Sequence, residues 1–272
     1  MRRSPNDSIL AFQSSIWPLR ITRLEPAPWG TADAGGYGHG EDGHGYVLKR
    51  IGTRADLPAS EFLCYVMAHA IGLPIPGFTL AQVLDTPEIC FACRWEAGVA
   101  DELKALQFWQ NATQPEFWEK HAGGLSRWFA FDHFVRNTDR HRNNFLLRTE
   151  GVNTAVLGID FSRALIAEGW PRSHAPLADH SNTMMLARAV CAAHQKPYPS
   201  AEAVSTLSRL AAIPDDWIDR QLEELSEPLL PDKLRREIMR WWRAGRRRRL
   251  QALRRHIANG RYLPLLAHSR SS

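Results

Sequence analysis

Between residues 134 and 147 the chain reads FVRNTDRHRNNFLL, which gathers Asp139, Arg140, His141, Asn143 and Asn144 at one bend between apolar stretches. Asp139 and Asn144 stand in the order D-x-x-x-x-N, and Asp160 comes later in GIDFS. Phosphoryl transfer from a nucleotide asks a protein for little covalent chemistry. It asks for a carboxylate near the attacking hydroxyl, hard oxygen ligands for magnesium, and cations or backbone N–H groups around the phosphates. Asp139 suits the first task, and Asn144 with Asp160 suits the second. Lys49 is the candidate to hold the α- and β-phosphates, with Glu61 pairing to it, and Gly36, Gly38 and Gly40 supply backbone N–H groups. Arg140 and His141 complete the catalytic set by orienting the loop through hydrogen bonds.

None of these features is specific alone. A strand lysine is usually a solvated edge charge, and a glutamate early in a helix is favoured there by the helix dipole. Their order is the specific signal: glycine-rich stretch, lysine, helix glutamate, D-x-x-x-x-N, then an aspartate before phenylalanine.

The elements that must position these groups are legible in outline. Residues 1–15 read as a loose arm, and 16–97 as strands with one helix among them. ADAGGYGHGEDGHG reads as a mobile glycine loop feeding the strand that ends near Lys49. ASEFLCYVMAHAIGLPIP has apolar residues at Phe62, Leu63, Val66, Met67 and Ala70, a helical period stopped by Gly72 and Pro74. Residues 98–272 read mainly as helix. The period through Leu125, Trp128, Phe129 and Val135 gives out where the polar bend begins, and NFLLR and TAVLGIDF come next as a β-hairpin joined by TEGVN. Amphipathic helices are expected over 184–194, 201–212, 215–226 and 231–256.

Composition sets the broad class. The 272 residues are 44% hydrophobic and 23% charged, a folded globular balance, and a net charge of +5 with pI near 9.2 does not by itself make a nucleic-acid binder. Much of the excess sits in MRWWRAGRRRRLQALRRHI, residues 239–257, where Trp241, Trp242, Leu250, Leu253 and Ile257 recur at helical intervals. A docked helix with solvated arginines is the favoured reading there, and a nucleic-acid contact the less favoured one. Four scattered cysteines form no disulfide framework, and Cys90 and Cys93 read as packed thiols rather than a zinc pair. Nothing resembles a secretion signal or an apolar span long enough for a membrane, so a cytoplasmic setting is expected.

The stretch FDHFVRNTDRHRNNFLL, with LGIDFSRAL after it, resembles the catalytic core of the HipA-like kinases, whose D-R-H-x-x-N signature is shared with phosphatidylinositol kinases. YVLKRI and ASEFLCYVMAHAIGLPIP are similar to the same family's lysine strand and following helix. The resemblance spans roughly residues 30–170. It implies an α+β, protein-kinase-like fold of two lobes, 16–97 with a β-sheet and one helix, 98–272 mainly helical with a catalytic hairpin. It also implies ATP and Mg2+ as cofactors, Asp139 as base, Asn144 and Asp160 as metal ligands, and a Ser/Thr hydroxyl of a protein as acceptor. The chain departs from ordinary protein kinases in lacking H-R-D and in reading D-F-S, with Ser162 where a glycine would permit the Asp-Phe pair to flip. The competing readings are a small-molecule kinase of the aminoglycoside type, a lipid kinase, and, from another class, a pseudokinase or nucleotide-binding interaction module.

Overall fold

The computed structural model describes residues 18–26, 36–50, 52, 54, 56–84, 86–96, 98–150, 153–170, 177–227 and 229–259. The arm expected over 1–15 and the tip of the turn TEGVN lie outside the described residues.

Five strands, β1 Leu19–Glu25, β2 Gly36–Gly40, β3 Gly45–Lys49, β4 Phe78–Val83 and β5 Ile89–Arg94, close into a barrel in the order β1-β2-β3-β5-β4. Beta1 runs parallel to β4, and the other pairs are antiparallel. Alternate residues turn inward, as strand geometry requires, and Ile21, Tyr46, Leu48, Ala81, Val83, Cys90 and Ala92 fill the interior. That interior is narrow. A Cβ on Gly38 would lie 2.6 Å from Ile21 Cγ2 and 3.1 Å from Leu48 Cδ1, and one on Gly40 would lie 2.9 Å from Tyr46 Cε2. Residues 36–40 are therefore a strand, not part of a mobile loop: the glycines serve barrel packing, a use that composition does not distinguish from loop flexibility.

Helix α1, Leu57–Ala70, carries Pro58 in its first turn, where its fixed φ suits the helix. Every residue from Leu57 to Ala68 is buried, more than the one-faced pattern expected. The cause is cover on two sides. Tyr65 meets Phe91 of the barrel wall at 4.8 Å and Phe161 at 5.4 Å, while Ser60 Oγ donates to the Ala164 carbonyl at 2.6 Å.

The remainder comprises α2 Glu102–Gln110, α3 Pro115–Val135, the hairpin β6 Phe145–Glu150 and β7 Asn153–Gly158, then α4 Asn182–His194, α5 Ser200–Ala212, α6 Trp217–Glu223 and α7 Asp232–Ala258. Alpha3 is central, packing against α4, α5 and α7. On α7 the apolar stripe Ile238, Trp241, Trp242, Leu250, Leu253 and Ile257 is buried, and so are Arg246 and Arg249. Arg246 donates to the Ile213 carbonyl at 2.8 Å and pairs with Asp215 at 2.7 Å. Arg249 donates to the Phe134 and His133 carbonyls at 2.8 and 2.6 Å, satisfying the last turn of α3. Arg243 and Arg247 pair with Asp219 and Asp215. Much of the basic run thus holds the fold together. Cys64, Cys90, Cys93 and Cys191 are free thiols. No helix among the described residues is long and apolar enough to cross a membrane.

Candidate active site

The site is built on the end of α3. Arg136 takes the left-handed conformation, φ 59°, and the Asn137 N–H returns to the Asp132 carbonyl at 2.8 Å, which closes the helix and turns the chain out. Asp132, fully buried, anchors the loop beyond the helix end. It accepts from Arg140 Nε at 3.0 Å, Arg140 Nη2 at 3.1 Å and Asn137 Nδ2 at 2.9 Å. Arg140 also donates to the Asn144 carbonyl at 2.9 Å and to the Ile159 carbonyl, so one guanidinium joins helix, loop and hairpin. It lies 4.7 Å from the Phe161 ring centroid and 5.2 Å from that of Phe145. Burial opposes its charge, yet Asp132 outweighs burial and holds its pKa above the ordinary arginine value.

Arg140 is thus buried and committed to acceptors within the fold. Its side-chain hydrogen bonds to Asp132, Asn144 and Ile159 all run inward, the geometry of a residue that orients the loop rather than one that faces a substrate. His141 is half-buried, and its backbone carbonyl accepts the Asn144 N–H at 3.0 Å. Among the described residues its ring makes no hydrogen bond that orients the loop; the ring instead lines an open groove.

Asp139 itself is gripped from a distant element. Asn182 Nδ2 donates to Asp139 Oδ1, and next door Thr183 Oγ1 donates to the Asn137 carbonyl at 2.6 Å while accepting the Arg140 N–H at 2.9 Å. The first turn of α4 therefore holds both ends of the Asp139 segment. Asn144 Nδ2 donates to the Asp139 carbonyl at 2.8 Å, which leaves the amide oxygen of Asn144 for a cation.

The hairpin register brings the next oxygen alongside. Phe145 pairs with Gly158 and the Ile159 N–H bonds the Asn144 carbonyl at 3.0 Å, so Asp160 comes directly beyond Asn144's partner. Asp160 sits in the left-handed region, φ 58°, a conformation uncommon outside glycine and tolerated by aspartate. It is held there on both sides. The Phe161 N–H donates to Glu61 Oε1 at 3.0 Å, and the Ser162 N–H to Asp160 Oδ1 at 3.2 Å.

Lys49, at the end of β3, lies 3.2 Å from Asp160 Oδ1 and 3.6 Å from Glu61 Oε1, with only 6% of its surface exposed. The two carboxyl groups are driven apart. Burial raises Asp160, but Lys49 and Ser162 outweigh it and bring the group down to about 2. For Glu61 burial is the larger influence and pushes the carboxyl up to about 8, although Lys49 pulls the other way across its longer contact. The contact of Lys49 with Asp160 is also the shorter of the two. An anionic Asp160 suits a cation, while Glu61 tethers Lys49 and the Phe161 backbone to α1.

The three candidate glycines separate by position. Gly36 pairs with Leu48, beside Lys49, whereas Gly38 pairs with Tyr46 and Gly40 starts the far turn. Beta3 from Gly45 to Lys49 spans about 13 Å at roughly 3.3 Å per residue. Gly40 is removed from the lysine by that length, so only Gly36 lies at the lysine end.

Asp132, Asn137, Asn182 and Thr183 were not among the residues expected from sequence. Asp132 had a signal, a charge inside the apolar run FAFDHF. Asn182 and Thr183 had none, because SNT before a helix reads only as a cap, which Ser181 indeed provides to the Met184 N–H.

No group of three or more His, Cys, Asp or Glu side chains able to hold a metal occurs among the described residues. An amide and a carboxylate, Asn144 and Asp160, nevertheless fit Mg2+ in a phosphate site, where one or two protein oxygens suffice beside water and phosphate.

Two solved structures share this fold. The proinflammatory kinase CtkA of Helicobacter pylori superposes with a TM-score of 0.57 at 11% identity, over 89% of this chain and 98% of that one. HipA of Shewanella oneidensis, solved with HipB and operator DNA, superposes with a TM-score of 0.53 at 10% identity, over 92% of this chain and 70% of that one. The fold is the mixed α and β fold of these kinases. A search among curated proteins gave no match. The sequence pattern of the HipA-like kinases matches residues 37–244, and the chain belongs to that family.

Proposed function

We propose that the protein transfers the γ-phosphate of ATP, with Mg2+, to a Ser or Thr hydroxyl of a protein, in the cytoplasm. The observation that carries this reading is the buried meeting of Lys49, Glu61 and Asp160 beside the braced Asp139–Asn144 loop. Lys49 reaches phosphate oxygens, Asn144 and Asp160 hold Mg2+, and Asp139 orients the acceptor hydroxyl and takes its proton. Mg2+ would neutralise the charge that develops on the transferred phosphoryl group. Of the glycines, Gly36 is the one retained near phosphate.

We take residues 16–97 and 98–272 as two lobes with the nucleotide between them. In support, the backbone at 99–100 already pairs with the hairpin, through the Val99–Arg148 bridge and the Ala100 N–H to the Leu147 carbonyl at 2.8 Å. A protein that keeps the fold without turnover is disfavoured by the presence of every required side chain. The test is incubation with labelled ATP, Mg2+ and a lysate, alongside Asp139→Asn. Phosphate on a protein that disappears in the variant supports the reading. Label only on lipids or small molecules replaces the acceptor class, and ATP binding without turnover replaces kinase by binding module.

A further inference from the structure

We propose that the groove between the Asp139 loop and α4 is the acceptor subsite, and that it takes an extended peptide bearing an acidic and an apolar residue beside the phosphorylated hydroxyl. The inference rests on the kinase reading of Asp139 given above.

The groove has a volume of about 390 Å3, with His141, Arg142 and Asn143 on one wall and Asn182, Met185 and Leu186 on the other. Its position is set by one hydrogen bond. Asn182 both lines the groove and donates to Asp139, so the carboxylate that would meet the hydroxyl stands one hydrogen bond from the groove wall. Asn182, Met185, Leu186 and Ala189 recur at i, i+3, i+4 and i+7, one stripe of α4. At roughly 1.5 Å per residue the stripe leads about 10 Å away from Asp139, the reach of about three extended residues.

Chemistry along that path is uneven. Met185 is 49% exposed, a flexible apolar side chain facing solvent in a fold that buries most of its large apolar groups. Arg142 is exposed and has no ion pair among the described residues, while Arg188, also on α4, is already held by Asp179 at 2.6 Å. An apolar stripe with a single uncompensated cation at the rim complements an apolar side chain and a carboxylate. A small-molecule site would bring several buried polar groups together, and these are absent from the groove lining. A nucleic-acid site would bring more cations and a stacking ring, and the lining has one arginine and His141 alone.

The experiment presents the full chain with labelled ATP, Mg2+ and a panel of Ser and Thr peptides in which each flanking position is acidic, basic, apolar or neutral. ATP binding is measured in parallel. Wild type should prefer one acidic and one apolar position within about three residues of the hydroxyl. Arg142→Glu should reverse the charge preference at the acidic position by about tenfold or more, and Met185→Gln should erase the apolar preference, both with unchanged ATP binding. Preferences that survive both substitutions would overturn the assignment, as would a wild type that transfers phosphate to lysate proteins but shows no flanking preference. Failure of wild type to bind ATP with Mg2+ would instead overturn the kinase reading, and the groove's role with it.

Discussion

Arg140 braces the candidate site from beneath. It is sealed under the loop, bidentate to Asp132 and shared between the Asn144 and Ile159 carbonyls. A lysine keeps the charge but lacks the planar fork that reaches all of these acceptors. Arg140→Lys should lower unfolding free energy by about 2–3 kcal/mol in urea, on the scale of lost hydrogen bonds to a charged group. It should also reduce kcat more than KM, because Asp139 and Asn144 lose their brace. A variant with wild-type stability would remove Arg140 from this role. Glu61 gives a second residue-scale expectation, in which the sign can be worked out. Its carboxyl is raised from the usual 4.5 to about 8, so the folded state keeps a proton that the unfolded state loses, and stability declines as pH rises between those values. His133, held down to about 4 by burial, acts in the opposite sense between 4 and 6.5. The difference between wild type and Glu61→Gln is therefore what urea titrations across pH should read. The wild-type decline should be flattened in the variant, whereas parallel curves would contradict the assignment. Asp160, down to about 2, contributes stability above its usual 3.8 that is lost on acidification toward 2, a separate window.

Among the elements, β2 is where sequence and structure part most clearly. Gly36, Gly38 and Gly40 sit in a glycine-rich stretch, and flexibility is the natural reading of such a run. The barrel gives them another cause, since Ile21 and Leu48 occupy the space a side chain would need at position 38. Gly38→Val tests this directly. Valine favours strands and would suit an open edge, but here it should destabilise by about 1–3 kcal/mol through overpacking. A stable variant with weakened ATP binding would restore the loop reading. Elements with strong local signals were legible: the lysine strand, α1, the hairpin and the C-terminal helices all fall close to where periodicity placed them. The total burial of α1 was not, because only the tertiary arrangement puts Phe91 on one side and Phe161 on the other. Likewise Asp139 and Asn144 announce themselves by spacing, while Asn182 and Thr183 reach the loop across more than 40 residues and leave no mark in the sequence.

On the scale of the molecule, α3 links the site to the far face. Its last carbonyls receive Arg249 of α7, and its next residues become the Asp139 loop. Arg249→Met should cost about 1–3 kcal/mol by stranding buried carbonyls, and a gel shift with duplex DNA at physiological salt should be no weaker in that variant than in wild type. DNA affinity that falls with Arg249 would instead make α7 a nucleic-acid surface. The barrel contributes Lys49, α1 contributes Glu61, the segments flanking the hairpin contribute Asn144 and Asp160, and α4 the grip on Asp139, so labour is divided among the elements. The most direct measurement of that division is Mg2+-dependent ATP affinity and single-turnover rate for Asp160→Ala and Asp139→Asn side by side. Asp160→Ala should lose Mg2+-dependent ATP binding, while Asp139→Asn should keep most of that binding and lose phosphoryl transfer by about 100-fold or more. Equal loss of binding in both variants, or full transfer by Asp139→Asn, would contradict it.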